Sequence, residues 1–589
     1  MDPVESGAGK DADGGIPGRR VRANSAGGRD AGGSRETGDS RETGGSQEKG
    51  GSREKGGSRE RENARDTGGS RATGDPRNTS GGGTPGAGGG VPPPGRRPRP
   101  AVVASLMLTM GLVALDGAIV STAVPQIVGD LGGFAVFSWI FSGYMLASTV
   151  TLPVYGKLSD TLGRKPVLLL GISLFLLGSL LCAAAWNMAA LVAFRILQGL
   201  GGGALQGTVQ TLAADLYPLK ERPRIQARMS VVWAGSALAG PALGGLMASY
   251  VNWRWIFLVN LPLALAALWV IARHLVEPVR ARARRGRIDW AGAAGIFACG
   301  GLLLFALVQG GVAWPWLSAP SVTLLGASAV LGVLVAWVER RAAEPILPGW
   351  VWRRRPIAAV NLAMGALGLL MVAPMVFMPT YAQSVLRLSA VEAGLITSAM
   401  TLSWPISAMF VQHVYRRVGF RNSAVIGVGL AALILCAFTL LPYPAAPWQP
   451  ALIMLLLGAA LGLFQLPLIM AVQSTVGWAE RGTTTASVLF CRQVGMSVGA
   501  ALMGAVANAT LAARLADAPM PGLPRHVNDV PEALDRPALL APEAADYLRR
   551  AVAAAVNHIF VGATAAAVAA VAVLLLLAPR RFPVLPPED

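Results

Sequence analysis

Gly156 to Lys165 reads GKLSDTLGRK, and it joins two apolar runs, 137–156 and 166–185. Runs of roughly 18 to 25 apolar residues have the length at which a helix spans a bilayer. The loop between them must then reverse the chain at one membrane face. Gly156 and Gly163 permit such a reversal. Asp160 can pair with Arg164 or sit at a helix N-terminus, where a carboxylate is stabilised. Lys157, Arg164 and Lys165 give the loop the positive charge of a cytoplasmic connection, and an ordinary loop of that kind would explain the charge by itself.

The same device recurs. Gln412 to Arg421 reads QHVYRRVGFR, with Gly419 in the place of Gly163 and Arg421 in that of Lys165. Working outward from the two loops, apolar spans are predicted at 102–124, 137–156, 166–185, 189–212, 227–250, 256–273, 290–309, 319–338, 357–380, 390–412, 423–441, 450–471, 485–511 and 552–578. Two six-helix halves with two further helices inserted between them account for the separation of the loops. Parallel repeats of this kind mark many transporters. Only 14% of the 589 residues are charged, where a soluble chain carries about 25%, and mean hydropathy is +0.48. Without β-barrel alternation, the class expected is an all-α polytopic membrane protein.

Loop charge orients the spans. Basic clusters precede the first span (Arg96, Arg97, Arg99) and follow the even ones, among them Lys220/Arg222/Arg224, Arg280/Arg282/Arg284/Arg285/Arg287 and Arg353/Arg354/Arg355. By the positive-inside rule both termini are cytoplasmic. Residues 1–100 repeat a hexad of the type GSRETG. They cannot bury enough apolar area to offset ordering entropy, so a disordered cytoplasmic tail is expected. The organisation expected beyond it is a six-helix bundle over 101–275, two inserted helices over 276–345, a second six-helix bundle over 346–579 with an external loop at 512–551, and a cytoplasmic end at 580–589.

The net charge of +18 does not indicate a nucleic-acid partner, because the basic residues are dispersed among short loops. Cys182, Cys299, Cys436 and Cys491 lie in apolar segments without metal-ligand spacing. There is no HExxH or Walker A pattern, which argues against a membrane protease of the zinc-dependent kind and an ATP-driven pump. No enzyme, metal site or bound cofactor is expected.

Charge inside the spans points to function. Asp116 stands in LDGAIVSTAVP (Leu115 to Pro125), and Arg195 in Arg195-Ile196-Leu197-Gln198-Gly199. A charged residue at a helix centre costs about 2.5 to 3.5 kcal/mol on insertion scales, so it is kept mainly for protons, ions or substrate. At 1.5 Å per residue the two lie at depths that agree to about 3 Å. Opposite charge favours a carboxylate and desolvation disfavours it, so a pair that forms and breaks would load and release a proton. A static buried ion pair is the plainer alternative. The fifth span carries Gly235, Gly240, Pro241, Gly244 and Gly245; small residues let helices approach and proline bends them. Arg492, in span 13, either snorkels to the cytoplasmic surface or lines the cavity and meets an anionic group. Gln198, Gln206, Gln383 and Gln473 are candidate polar contacts in an otherwise apolar cavity.

These stretches carry a resemblance. GKLSDTLGRK is similar to motif A of the major facilitator superfamily, the string around Arg195 to motif B, and Gly235 to Gly245 to motif C. LDGAIVSTAVP and Trp253 to Pro262 (WRWIFLVNLP) resemble the signatures of its fourteen-span drug:proton antiporters. The chain departs from that pattern at Ala118, Ser121 and Met400. The resemblance implies a major facilitator fold and proton-coupled export of hydrophobic or amphiphilic drugs from a bacterial cell. It implies that Asp116 carries the proton and Arg195 tunes it. Gly156, Asp160, Gly163, Arg164 and Lys165 would gate the cytoplasmic side, and motif C would mark export. The proton gradient stands in for a cofactor. The expected partners are membrane lipids and a small-molecule substrate, the expected working unit is a monomer, and a periplasmic adaptor is left open. A dedicated exporter of a metabolite, lipid or antibiotic is the alternative on the same scaffold.

Overall fold

The computed structural model describes residues 100–583 apart from Ser121, 133–138, 219–220, 278–288, 311–313, 316–317, Ala343, 518–522, 525–526, 528–529 and 536–540. The polar tail, the linker arginines from Arg280 to Arg287 and the residues after 583 lie outside the described residues.

The described residues are almost wholly helical, with one isolated bridge between Gly310 and Trp314. The first half holds α1 (Pro100–Val120), α2 (Val124–Leu131), α3 (Trp139–Leu162), α4 (Arg164–Ala183), α5 (Met188–Leu216), α6 (Arg222–Tyr250), α7 (Trp255–Leu258) and α8 (Asn260–His274). Then come α9 (Trp290–Gln309) and α10 (Ala319–Arg341), packed on each other. The second half holds α11 (Trp350–Arg353), α12 (Arg355–Val372), α13 (Met378–Ser384), α14 (Ala390–Val418), α15 (Phe420–Thr439), α16 (Trp448–Ser474), α17 (Trp478–Ala516), α18 (Val530–Asp535) and α19 (Pro542–Leu577). A π-helical turn, Ala373–Phe377, joins α12 to α13 around Pro374, where the missing proline N–H breaks the regular ladder.

Among the described residues, 13 helices are long and apolar enough to cross a membrane, with α7–α8 and α12–α13 each counted as one. The predicted span at 137–156 is α3, which is 24 residues long but too polar for that criterion. Its Tyr144, Thr149 and Thr151 are buried, because α3 packs between α5 and α17 with protein rather than lipid beside them. Two boundaries differ from the expectation. Helix α17 begins at Trp478, well before 485, and α19 at Pro542, well before 552. Their first turns are polar in sequence yet folded, since Thr483 and Thr484 at one and Ala544, Ala545 and Leu548 at the other are buried against neighbours. The long loop expected at 512–551 is shortened accordingly.

Apolar side chains point outward as well as inward, as a lipid-facing surface requires. Leu177, Val333, Phe410 and Leu433 are exposed on helix faces, while Trp186, Trp255, Trp290 and Trp448 are exposed at helix ends, the level where aromatic rings favour the bilayer interface. Inside, the first half packs around Leu106, Leu168, Phe175 and Leu205, the second around Leu367, Leu435, Phe464 and Phe560. The repeat is explicit in the packing. A Cβ at Gly199 would lie 2.5 Å from the Tyr144 carbonyl, so α5 sits directly on α3. In the second half Gly458 of α16 abuts the Met400 carbonyl of α14 in the same way.

Candidate functional site

Asp116 of α1 is fully buried at 0% exposure, as are Gln198 and Asn260, while Arg195 is at 1%. The α5 helix places Arg195 and Gln198 one turn apart on one face. Arg195 donates Nη1 to Asp116 Oδ2 at 2.6 Å and to Gln198 Oε1 at 2.7 Å. Gln198 Nε2 and Asn260 Nδ2 donate to the other carboxylate oxygen at 2.8 and 2.9 Å. Ser179 of α4 accepts from both amides. Arg195 also donates Nε to the Ile140 carbonyl at 3.1 Å and lies 4.4 Å over the Tyr144 ring. Every neighbour within hydrogen-bond distance of Asp116 is a donor, which is the environment of a charged carboxylate. All contributing helices belong to the first half.

Asn260 was not singled out by sequence reasoning. Its signal was present, since it is a polar residue followed closely by Pro262 in an apolar run. The helix breaks there, between α7 and α8, and the break turns the amide onto Asp116. Gln198, expected to meet substrate, has both polar atoms committed to this cluster instead.

The second assembly lies at the end of α3. Gly163 takes φ +99°, the region that favours glycine, and Glu277 fills the space a side chain would need. The Glu277 carboxylate accepts from the backbone N–H groups of Arg164 and Lys165. Lys165 Nζ donates to the Ala272 and Leu275 carbonyls, both at 2.8 Å. Asp160 does both things its sequence position allowed. It pairs with Arg164 Nη1 at 2.8 Å, and it accepts from the Gly482 N–H at 2.8 Å, the Thr483 N–H at 2.6 Å and the Thr483 hydroxyl at 2.7 Å. Those donors lie near the N-terminal end of α17, in the other half, where the helix dipole favours a carboxylate. Gly156 lets the helices meet, since a Cβ there would lie 2.9 Å from the Gly482 carbonyl.

Arg164 extends the contact. It pairs with Asp215 of α5 at 3.0 Å, donates to the Trp478 carbonyl at 2.6 Å and lies 4.2 Å over the Trp478 ring. Arg481 of α17 pairs with the same Asp215. Sequence reasoning missed Asp215, Arg481 and Thr483. They lie at helix ends that the apolar spans left outside. Gln473, placed in the cavity by expectation, belongs to this end: its amide donates to Thr485 at 3.1 Å and its carbonyl accepts from Arg481.

The remaining predicted residues divide. Gly240 and Gly244 pack α6 onto α1, a Cβ at Gly240 falling 2.5 Å from that of Ala118 and Gly244 abutting the Ile119 carbonyl. Gly235 and Gly245 have open space where a side chain would go, so close approach does not explain them. The Pro241 side chain lies outside the described residues. Gln206 is half-buried, and Gln383 is exposed and bonds back to the Pro379 carbonyl, so the structure does not gather the glutamines into one site. Arg492 is half-buried and has no partner among the described residues. It lies 14 positions beyond the first residue of α17 (492 − 478), a helix of 39 residues.

Two repeated helical halves, apolar on the outside and bridged at one end by charged side chains, define a multi-pass membrane protein. The comparisons give the family. Residues 106–500 match the Major Facilitator Superfamily, and the chain belongs to that superfamily of transporters. It is 33% identical over 428 residues to the multidrug transporter protein MdtP of Bacillus subtilis, covering 72% of this chain and 78% of that one. It is 34% identical over 420 residues to multidrug resistance protein 3 of the same organism, covering 71% and 81%. Among solved structures, the human organic anion transporter MFSD10 (TETRAN) shares the fold at TM-score 0.50 and 18% identity, over 81% of this chain and 100% of that one.

Proposed function

We propose that this protein is a proton-coupled antiporter that exports hydrophobic or amphiphilic compounds across the bacterial cytoplasmic membrane, with both termini in the cytoplasm. The observation that carries this reading is the sealed Asp116, held by three side-chain donors. The relatives named as multidrug transporters support the export direction.

A proton arriving at Asp116 must displace one of its donors. Arg195 is the charged one, held most by the carboxylate's charge, and it keeps the Ile140 carbonyl and Gln198 Oε1 as acceptors when that charge is neutralised, while the two amides keep Ser179. Protonation therefore releases the pair, and deprotonation restores it. Ala118, two residues along α1 from Asp116, is the contact of Gly240 on α6, and α6 packs on α14 of the other half. A shift of α1 thus reaches the seam between the halves through the small residues of α6. The Asp160 assembly closes the cytoplasmic end in this state, and substrate enters from that side when it opens. The proton gradient is the energy source and one chain is the working unit.

One titrating carboxylate sets the stoichiometry at one proton. A potential of 100 mV contributes about 2.3 kcal/mol per charge and a pH unit about 1.36 kcal/mol, so one proton sustains a roughly 500-fold gradient of a neutral compound. The test uses inverted vesicles loaded with a pH-sensitive dye and an inside-acid gradient. Added compounds evoke proton release with the wild type and none with Asp116→Asn. Release that survives in the variant removes Asp116 from the coupling step.

A further inference from the structure

Arg195, Arg164 and Arg481 each face a carboxylate. Arg492 faces none. No hydrogen bond, ion pair or ring contact joins its side chain to any described residue, and its Nε is closed to solvent without an acceptor. Its depth is about 21 Å from Trp478 at 1.5 Å per residue. Trp478, Glu480 and Arg481 belong to the charged end of the molecule, so Arg492 stands about four helical turns inward from that end. A three-carbon stem does not carry the charge back to that end. An unpaired cation at that depth persists where water or an anion meets it.

The geometry of α17 gives the direction. Gly482 and Ala486 abut Gly156 of α3, while Gly495 and Gly499 abut Gly365 and Leu369 of α12. At about 100° per residue, Arg492 projects on the shorter arc between those faces, roughly 100° from the first and roughly 40° from the second. Since α3 belongs to one half and α12 to the other, that arc opens on the seam between the halves. A second donor without an acceptor, Asn361 Nδ2 of α12, is buried between α12 and α17, where Asn361 Oδ1 accepts from Ser487. No buried acid among the described residues balances these donors. Asp116 is held by Arg195, Asp160 by α17 and Glu339 by the Ile346 and Leu347 amides.

We infer that Arg492 is the docking point for the anionic group of an amphiphilic substrate, a carboxylate or its equivalent, so that the exported class is organic anions rather than lipophilic cations. This rests on the export reading above and names its substrate. It also fits a single-proton exchange, because an anion leaves the cell down the same potential that draws the proton in.

The test measures binding, so that it stands apart from proton coupling. The full chain in phosphatidylcholine nanodiscs is titrated with three dansyl probes, an undecanoic acid, its methyl ester and the corresponding undecylamine, against empty discs. The wild type binds the acid about tenfold more tightly than the ester, as one charge-assisted contact provides, and the amine most weakly. Arg492→Lys keeps the preference for the acid and Arg492→Gln abolishes it while still binding the ester. A wild type that binds the amine as tightly as the acid overturns the inference without any variant, as does a preference that survives Arg492→Gln. Adding phosphatidylglycerol to the discs distinguishes the source of the anion. If it removes the preference for the acid and leaves ester binding unchanged, the site holds a lipid headgroup and the substrate assignment fails. A preference for the acid without proton release in vesicles keeps this assignment and removes the antiport reading.

Discussion

The two halves share a scaffold and differ in chemistry at matched positions. Helices α4 and α15 are both 20 residues long, each preceded by a glycine at positive φ, Gly163 at +99° and Gly419 at +86°. Gly199 abuts the Tyr144 carbonyl as Gly458 abuts that of Met400, and Gly203 abuts Ser148 as Gly462 abuts Trp404. In that register Arg195 corresponds to Met454, Gln198 to Leu457, Tyr144 to Met400 and Ser179 to Leu435. The four counterparts are as buried as the charged cluster, at 0%, 0%, 1% and 0%. The first half has an ion pair where the second has methionine and leucine, so the fold does not require the charge. Close backbone approach at glycine builds both halves, and Asp116 with Arg195 is an addition to one of them.

The largest effect follows from putting the second half's residue into the first. Arg195→Met leaves Asp116 buried among amides without its counter-charge. Removing one partner of a buried pair costs about 3–5 kcal/mol. Thermal unfolding in detergent should show that loss, and proton-coupled transport should vanish. The double variant Asp116→Val with Arg195→Met should recover most of the stability and none of the transport. A double variant as unstable as the single one would mean that the charge holds the fold, and the comparison would fail.

The second effect concerns the two turns. Asp160 of the first has Arg416 as its counterpart, which is exposed and forms no hydrogen bond or ion pair among the described residues. Asp160→Asn removes the ion pair with Arg164 and weakens the contacts to α17, which exist only while this end is closed. A bias of about 2 kcal/mol, roughly 30-fold, toward the open form is expected. Spin labels at Leu162 and Ala479 would report it as a longer distance, while Arg416→Gln leaves that distance unchanged. Equal responses at the two turns would make the closure symmetric.

Much of this was legible before the structure. The spacing of apolar runs set the helices, and the recurrence of Gly163 as Gly419 set the repeat. Asp116 and Arg195 were found because charge in an apolar run is conspicuous. What stayed hidden was partnership across the seam. Asp215, Arg481 and Thr483 sit in ordinary polar stretches, and nothing local distinguishes a residue that reaches the other half from one that faces water. The glutamines were misplaced for a related reason. An amide in an apolar run signals a partner but does not name it, and Gln198 and Gln473 found theirs inside the protein.

The smallest effect tests where the two turns agree. Lys165 donates to the Ala272 and Leu275 carbonyls at the end of α8, and Arg421 donates to the Ala578 carbonyl at 3.3 Å, at the end of α19. Each is a cation closing the C-terminal end of the last helix of its half, which is worth about 0.3–1 kcal/mol. Lys165→Ala and Arg421→Ala should therefore lower thermal stability by similar small amounts. Transport should distinguish them. The Lys165 ammonium holds the carbonyls just before Glu277, whose carboxylate accepts from the backbone N–H groups of Arg164 and Lys165. Loss of the side chain therefore loosens the placement of Glu277 and with it the turn that holds Asp160 against α17. Arg421 stands next to Phe420, which stacks on Tyr415 at 4.7 Å and carries no charge to the other half. Equal stability with a slower transport rate only for Lys165→Ala would confine the gating role to the first turn. A matching loss for Arg421→Ala would show that the second turn takes part in closure despite its apolar chemistry.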